Sequence, residues 1–197
     1  MNYDVEMNKI INDLTYKPKL LLQSCCAPCS TTVIERLINF FDITIIYYNP
    51  NIEPIEEYTK RKKEQIRIIE HYGIKYLDCD YDNDVFHKKV FGYESEPEKG
   101  LRCHICYRLR LEYTANKAKE NNYEYFGTTL TVSPYKLSKI INEIGLELQD
   151  KYNINFLPSD FKKNNGYKKS IELSKIYNLY RQNYCGCIYS RKSDINE

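Results

Sequence analysis

The cysteine residues are the feature that most constrains how this 197-residue chain can fold. The three cysteine motifs lie about 75 to 80 residues apart, so only a tertiary fold can bring them together. Thiolates grouped in this way bind soft metal ions or exchange electrons. The pattern therefore predicts metal or redox chemistry. Seven of the eight cysteines form these motifs, which are Cys25-Cys26-Ala27-Pro28-Cys29, Cys103-His104-Ile105-Cys106 and Cys185-Gly186-Cys187.

Length and composition predict a single domain over residues 1–197 with a core of its own. Hydrophobic residues make up 42% of the chain, and no apolar run is long enough to span a bilayer. The start, from Met1 to Glu6, lacks the basic-then-apolar order of a signal peptide. We therefore expect a cytoplasmic protein without membrane association. In that compartment clustered cysteines serve metal binding or redox catalysis more often than structural disulfides.

The order of the predicted elements indicates an α/β fold. Repeated strand–helix–strand units favour a doubly wound, mainly parallel five-stranded sheet with flanking helices, in a Rossmann-like arrangement. The apolar segments that predict strands are Lys19–Gln23, Ile43–Tyr48, Ile74–Asp78, Tyr123–Gly127 and Ile154–Leu157. The predicted helices are Thr31–Phe41, Pro54–Tyr72, a helix from Ser133-Pro134 to about Lys151, and Tyr167–Tyr180.

The first strand-to-helix turn is where many nucleotide-binding α/β proteins hold phosphate. Here that turn contains cysteines, and the chain has neither an SGGxDS-type loop nor GxGxxG. We therefore expect a topology of the HUP or PP-loop kind without the phosphate loop, and no ATP site. Ligands of such sheets bind beyond the carboxyl ends of the strands. Cys25 and Asp160 each follow a predicted strand, so both are candidates for the site.

The cysteine motifs suggest different roles. Pro28 suits the first position of a helix, and a helix N-terminus stabilises a thiolate there. The CxxC motif of Cys103 and Cys106 can grip one metal ion or one cluster, and spacing alone does not separate zinc from iron–sulfur.

A disulfide between Cys185 and Cys187 would close a small, strained ring, which favours electron relay. The alternative is that both sulfurs ligate a metal with Cys29. The remaining cysteine, Cys79, is expected to be a plain strand residue.

Basic residues concentrate in a C-terminal segment from about residue 160 to 192. Eight basic residues lie between Asp160 and Lys192 against two acidic ones, although the net charge of the whole chain is only +2. Tyrosines are also frequent there, and cations beside stacking rings suit RNA. A solvated basic surface is the alternative interpretation.

The motifs together resemble the QueH-type epoxyqueuosine reductases, which are iron–sulfur enzymes of tRNA modification. The resemblance extends over almost the whole chain, and several motifs in the same order are more specific than any one of them. The matching segments are Cys25–Ser30, Tyr48–Ile52, Arg102–Tyr107, Thr128–Leu130, Ser133–Lys136, Asp160–Lys163, Gly166-Tyr167 and Tyr180–Cys187.

The resemblance implies an oxidoreductase that reduces epoxyqueuosine to queuosine at the wobble position of tRNAs with GUN anticodons, those for Asp, Asn, His and Tyr. It implies an external electron donor and a [4Fe–4S] cluster. A lone iron or zinc ion beside the cluster is a further expectation, and the acid that supplies protons is expected to be water or Asp160. The implied cluster ligands are Cys25, Cys26, Cys103 and Cys106. The implied residues of the lone metal or redox site are Cys29, Cys185, Cys187 and Asp160, with Asp80 as the second choice for the carboxylate.

The tRNA is expected to bind through basic and aromatic side chains. The candidates are Lys162, Lys163, Lys168, Lys169, Arg181, Tyr135 and Lys136, with Arg102, Arg108 and Arg110 as further candidates for phosphate contacts. Two other functions remain open at this point. One is an RNA-binding module that holds a zinc ion with four cysteines, and the other is a sulfur-transfer enzyme that modifies tRNA.

Overall fold

The computed structural model describes residues 1–191. Within that range it contains one five-stranded sheet, and every strand pairing in it is parallel. The predicted α/β fold with a parallel, doubly wound sheet is therefore confirmed. The strands are β1 (Lys19–Gln23), β2 (Asp42–Ile46), β3 (Lys75–Leu77), β4 (Tyr125–Thr128) and β5 (Asn155–Phe156), and their order in the sheet is β3-β2-β1-β4-β5.

Helices connect the strands and cover both faces of the sheet. Their bounds are α1 (Tyr3–Asp13), α2 (Ala27–Leu37), α3 (Ile55–Tyr72), α4 (Asn83–Val90), α5 (Leu101–Glu120), α6 (Ser138–Tyr152) and α7 (Gly166–Ile176). In the part of the chain that the structure describes, no helix is both long and apolar enough to cross a membrane.

The side chains of β1 alternate between two hydrophobic cores, because successive residues of a strand point to opposite faces. Leu20 and Leu22 pack against α1, α2 and α3. Leu21 packs on the other face, against α5 and α6. All three leucines are fully buried, as expected for the central strand of a parallel sheet.

The boundaries of three predicted helices are wrong. Helix α2 begins at Ala27 and ends at Leu37, with Pro28 in its first turn as expected. The helix predicted from Ser133 begins only at Ser138, because the Ser133 hydroxyl accepts a hydrogen bond from the Tyr135 N–H (3.2 Å) and closes a local turn instead. Helix α7 ends at Ile176, before Asn178 adopts a left-handed backbone conformation.

The sheet has its topological switch at β1 and β4. The chain leaves β1 through α2 to β2 on one side, and β4 continues to β5 on the other. The carboxyl ends of β1 and β4 therefore open a crevice, where α/β proteins bind their ligands. Cys25 follows β1 and Thr129 follows β4, and the Cys25 N–H donates to the Thr129 hydroxyl across the crevice (3.1 Å).

Candidate metal centre

Two adjoining cavities at this crevice bring the three cysteine motifs together. The larger cavity, of about 910 Å³, is lined by Cys25, Cys26, Cys29 and Cys185 among others. The smaller one, of about 20 Å³, is lined by Cys103, Cys106, Cys185 and Cys187. Cys185 lines both. Seven cysteines from three distant motifs thus converge on one region of the molecule.

The first motif forms the tightest group of sulfurs. The Sγ atoms of Cys25, Cys26 and Cys29 all lie within 4.8 Å of one another, and those of Cys25 and Cys26 are 3.7 Å apart. The motif has this shape because Cys26 precedes the first turn of α2, with Cys29 inside that turn. The Thr129 hydroxyl donates to the Cys25 sulfur at 3.4 Å. The arrangement offers three soft ligands on one side of the cavity.

The three sulfurs share their negative charge unequally. Hydrogen bonds from Cys26 and Cys29 hold the pKa of the Cys25 thiol well below its usual range, although burial opposes this. The hydrogen bond to Cys25 raises the pKa of Cys26 to about 12, and bonds to both neighbours raise the pKa of Cys29. Negative charge in the metal-free group is therefore favoured on Cys25 over its two neighbours, and a bound cation would favour ionisation of all three.

The second motif lies in the first two turns of α5, a helix that begins at Leu101. The Lys99 N–H donates to the Cys103 sulfur at 3.3 Å. Cys106 packs with Cys187 against Phe86 and Val90 of α4. Burial raises the pKa of Cys103, and it raises that of Cys106 to about 11 and that of Cys187 to about 12.

The third motif is held against the start of α3. The guanidinium of Arg61 is 2% exposed and donates to the Cys185 carbonyl (3.1 Å) and the Tyr184 carbonyl (3.3 Å). The Glu53 N–H donates to the Gly186 carbonyl at 3.0 Å. Gly186 has a φ of +107°, and this conformation lets the chain pass between Cys185 and Cys187 into the site.

Two cations of the site stand close to the sulfurs. Lys136 lines both cavities, and Arg110 lines both as well. Burial would lower the pKa of Lys136, but negative charge on Cys185 and Cys25 outweighs it and the pKa is raised. The predicted involvement of Lys136 in the site agrees with this position. Arg102 and Arg110 are only 3% and 2% exposed, which excludes them from contacts with phosphates on the surface.

The predicted carboxylates are not among the residues that line the two cavities. Asp160 follows β5, where its carboxylate accepts from the Lys162 ammonium at 2.6 Å, and it lines neither cavity. Asp80 is exposed and also lies outside both linings. No contact among residues 1–191 joins either aspartate to a cysteine sulfur. Cys79 packs beside the core of the α5 face and lines neither cavity.

The predicted tRNA-binding residues divide into two sets. Tyr135 and Arg181 line the larger cavity. Lys136 lines it as well. The other four predicted lysines do not, and three of them pair with acidic residues: Lys162 with Asp160 (2.6 Å), Lys168 with Glu172 (4.0 Å) and Lys169 with Glu35 (2.6 Å). Lys163 is exposed. Lys192, at the end of the predicted basic segment, lies outside the described residues.

Several lining residues carried no recognised signal in the sequence. These are Asn49, Glu57, Lys60 and Gln182. Arg61 acts beside them by holding the third motif, and nothing in its helical sequence distinguishes it from a surface arginine. The segments of Asn49 and Gln182 did contribute to the family resemblance, so those motifs were a usable signal for both residues.

Comparison with known proteins agrees with this geometry. The family described as "Epoxyqueuosine reductase QueH" matches residues 20–193. The chain is 45% identical to the epoxyqueuosine reductase QueH of Staphylococcus epidermidis over 96% of this chain and 84% of that protein. It is 42% identical to the epoxyqueuosine reductase QueH of Streptococcus pyogenes over 98% of this chain and 79% of that protein.

A solved structure shares the fold at low sequence identity. It is the U34-tRNA thiolase NcsA from Methanococcus maripaludis with its [4Fe-4S] cluster, and it superposes with a TM-score of 0.61 and 14% identity over 97% of this chain and 68% of that one. This likeness supports the Rossmann-type architecture. The family match and the identity to the two bacterial reductases confirm the resemblance seen in the motifs: the chain belongs to the epoxyqueuosine reductase QueH family of oxidoreductases.

Proposed function

We propose that this protein reduces the epoxide of epoxyqueuosine in tRNA to the alkene of queuosine, and that a [4Fe–4S] cluster serves the reaction. The observation that carries the proposal is the convergence of seven cysteines on two adjoining cavities. Family membership supports the reaction. The substrate tRNAs are those with GUN anticodons, and a separate reductase or small redox protein supplies the electrons.

The donor set fits an iron–sulfur group. Cysteines of three motifs line the two adjoining cavities, and the tightest group, Cys25 with Cys26 and Cys29, contains only soft ligands. We assign the cluster to Cys25, Cys26, Cys103 and Cys106, and a second iron or zinc ion to Cys29, Cys185 and Cys187. Cys29 lies close enough to Cys25 and Cys26 to be a cluster ligand instead. When bound, such a cluster supplies electrons one at a time.

The larger cavity is suited to a flipped-out nucleoside. Its volume of about 910 Å³ lies at the upper end of the range for small-molecule sites, roughly 300–1,000 Å³. Tyr135, Tyr167, Tyr180 and Tyr184 line it and offer faces on which a base can stack. Lys136 and Arg181 supply positive charge on the same lining. The cavity thus combines stacking surfaces and cations beside the sulfurs.

The overall reaction breaks both C–O bonds of the epoxide and forms one C=C bond. It consumes two electrons and two protons and releases the oxygen as water. Lys136 lines the space between the two sets of cysteines, so its ammonium is positioned to donate a hydrogen bond to the departing oxygen. Asp160 stays the alternative source of the proton; its carboxylate pairs with Lys162 at 2.6 Å and lines neither cavity.

Cysteine variants test the cofactor assignment. We expect anaerobically purified protein to contain iron and acid-labile sulfide, and the Cys→Ala variants at positions 25, 26, 103 and 106 to lose the cluster absorption. Variants at 185 and 187 should keep the absorption and lose turnover, and Cys79→Ala is the matched control. A colourless protein with one tight zinc ion after attempted reconstitution would instead favour the zinc-bound RNA-binding module.

Analysis of cellular tRNA tests the reaction itself. Cells without this gene should accumulate epoxyqueuosine and lack queuosine, as measured by mass spectrometry of digested tRNA. Restoring the gene should reverse both changes, whereas the Cys103→Ala variant should not. Loss of tRNA thiolation with normal queuosine would favour a sulfur-transfer enzyme.

A further inference from the structure

Arg110 is a buried cation that pairs with no acidic side chain within residues 1–191. It lies on α5, one turn after Cys106, and its side chain is 2% exposed. Its Nε donates to the Cys106 carbonyl at 3.3 Å, and its Nη1 donates to the Asn49 side-chain oxygen at 3.4 Å. Within residues 1–191, its Nη2 has no hydrogen-bond partner and no carboxylate forms an ion pair with it.

Arg61 is a second buried arginine, and it differs from Arg110 in having a carboxylate partner. It is equally buried, at 2% exposure, but its Nε pairs with the Glu57 carboxylate at 2.6 Å. A buried guanidinium without an anion is strongly destabilising, because it has lost its water and gained no compensating charge. The missing counter-charge of Arg110 must therefore come from something other than a carboxylate.

The cysteine sulfurs are the available source of negative charge. Arg110 lines the larger cavity with Cys25 and Cys26, and the smaller one with Cys103 and Cys106. Thiolates that hold a metal group stay ionised, so the bound group supplies a lasting negative charge at this place.

We propose that Arg110 is the internal counter-charge of the metal centre and that it sets the reduction potential of the group held there. The inference rests on the proposed function for the identity of that group. Reduction adds one negative charge to a centre that is already negative. A fixed cation close to the sulfurs favours the reduced form, since net charge and hydrogen bonds around a cluster determine its potential. Arg110 is thus a positioning residue that acts through the cofactor.

A redox titration of loaded protein tests the proposal. The variant Arg110→Gln removes the charge and keeps an amide donor. The matched control is Arg108→Gln, which removes the same charge from the same helix at an exposed site where Arg108 pairs with Glu147. We expect Arg110→Gln to lower the ratio of reduced to oxidised cluster at a given solution potential at least tenfold, a shift of about 59 mV for one electron. Arg110→Lys should recover most of the shift, and Arg108→Gln should show none. Equal potentials in Arg110→Gln and wild type would overturn the proposal.

The stability of metal-free protein gives a second test that needs neither turnover nor an iron–sulfur group. Without the bound group Arg110 is an uncompensated charge, so Arg110→Gln should unfold at the wild-type temperature or above it. Binding of the metal group, or of zinc alone, should then raise the unfolding temperature less in Arg110→Gln than in wild type. A metal-free Arg110→Gln that unfolds well below both wild type and Arg108→Gln, or fails to fold, would assign Arg110 a structural role and overturn the proposal. Because zinc serves in this test, failure of the reductase assignment leaves it interpretable.

Discussion

Gly186 is the residue on which the third cysteine motif depends. Its φ of +107° is a conformation that residues with a side chain rarely adopt. A Cβ at this position would lie 2.8 Å from Ile52 Cγ1 and 3.0 Å from Arg61 Nη1. Both atoms belong to the elements that hold the motif, so a substitution here would displace Cys185 and Cys187 as well as strain the backbone.

We predict that Gly186→Ala lowers the free energy of unfolding by more than the roughly 1–3 kcal/mol of an unfavourable backbone conformation alone. The control is Gly92→Ala, since Gly92 also has a positive φ (+84°) but no atom within 4 Å of the added Cβ. Urea denaturation of both variants separates the steric cost from the backbone cost. Equal losses in the two variants would contradict the predicted clash.

The unequal pKa values of the cysteines predict that alkylation of metal-free protein is selective. The pKa of Cys25 is held well below its usual value by hydrogen bonds from Cys26 and Cys29, whereas burial raises the pKa of Cys106 to about 11, so Cys25 is the more readily ionised of the two thiols. The two residues are similarly exposed, at 8% and 6%. We expect iodoacetamide to modify Cys25 first, at a rate that stops rising with pH earlier than the Cys106 rate does. The Cys106 rate should rise roughly tenfold per pH unit, as mass spectrometry can measure. Equal rates at neutral pH would contradict the predicted distribution of charge.

The same shift has a consequence for stability. The folded-state pKa of Cys25 lies below that of an unfolded thiol, which is about 8.5. Its thiolate therefore stabilises the metal-free fold fully above that pH, and this contribution is lost as the pH falls toward the folded-state pKa. The contributions of Cys106 and Cys187 to stability change with pH in the opposite direction. Their raised pKa values favour the folded state at low pH, and this contribution is lost as the pH rises.

At the scale of elements, helix α3 holds the C-terminal segment at two places. Arg61 donates to the carbonyls of Tyr184 and Cys185 from a buried position. Further along the helix, Arg67 donates to the carbonyls of Tyr177 (2.8 Å) and Asn178 (3.1 Å) with 47% of its side chain exposed. The buried contact of Arg61 fixes the segment that carries the third cysteine motif. The exposed contact of Arg67 fixes only the chain that precedes it.

We predict that Arg61→Lys loosens the third motif while Arg67→Lys does not. Lysine keeps the charge beside Glu57 but cannot reach both carbonyls, and each partly buried carbonyl left unpaired costs about 1–3 kcal/mol. Limited proteolysis should cut Arg61→Lys within residues 179–190 and leave wild type intact. The exposed contacts of Arg67 are worth about 0–1 kcal/mol, so the control should resemble wild type. Equal protection of both variants would show that other contacts hold the segment.

At the scale of the whole molecule, positive charge is present on two surfaces. One is the mouth of the larger cavity, with Lys60, Lys136, Arg181 and Arg191 on its lining. The other is the region of Lys162, Lys168 and Lys169, where acidic partners offset the charge. The first surface adjoins the sulfurs, and a tRNA whose base enters the cavity must cross it.

We predict that Arg181→Gln weakens tRNA binding and lowers the slope of log affinity against log salt by about one. Lys169→Gln is the matched control, because it removes the same charge from the other surface, where Glu35 already neutralises it at 2.6 Å. Filter binding at several salt concentrations measures both. If Lys169→Gln has the larger effect, the anticodon arm lies along α7 as the charge pattern of the sequence suggests.

The sequence by itself determined the order of the strands and indicated the kind of chemistry to expect. Thiols in tight motifs identify soft-metal or redox chemistry, and alternating strand and helix patterns define a parallel sheet because right-handed crossovers leave few alternatives. The position of Cys25 directly after β1 placed it at the ligand-binding edge. Local patterns did not fix helix boundaries, because the hydroxyl of Ser133 forms a turn where a helix cap was expected.

Only the tertiary structure decided which of these groups meet. Cys185 lines both cavities because the C-terminal segment returns to Arg61, a contact between residues 124 positions apart that no local periodicity encodes. The burial of Arg110 without a carboxylate depends on how α5 packs beside β1 and not on its own helical sequence. Sequence motifs predict which residues are ligands, whereas long-range packing determines which charged groups surround them. The reason is that electrostatic energies depend on distance in space and on the exclusion of water.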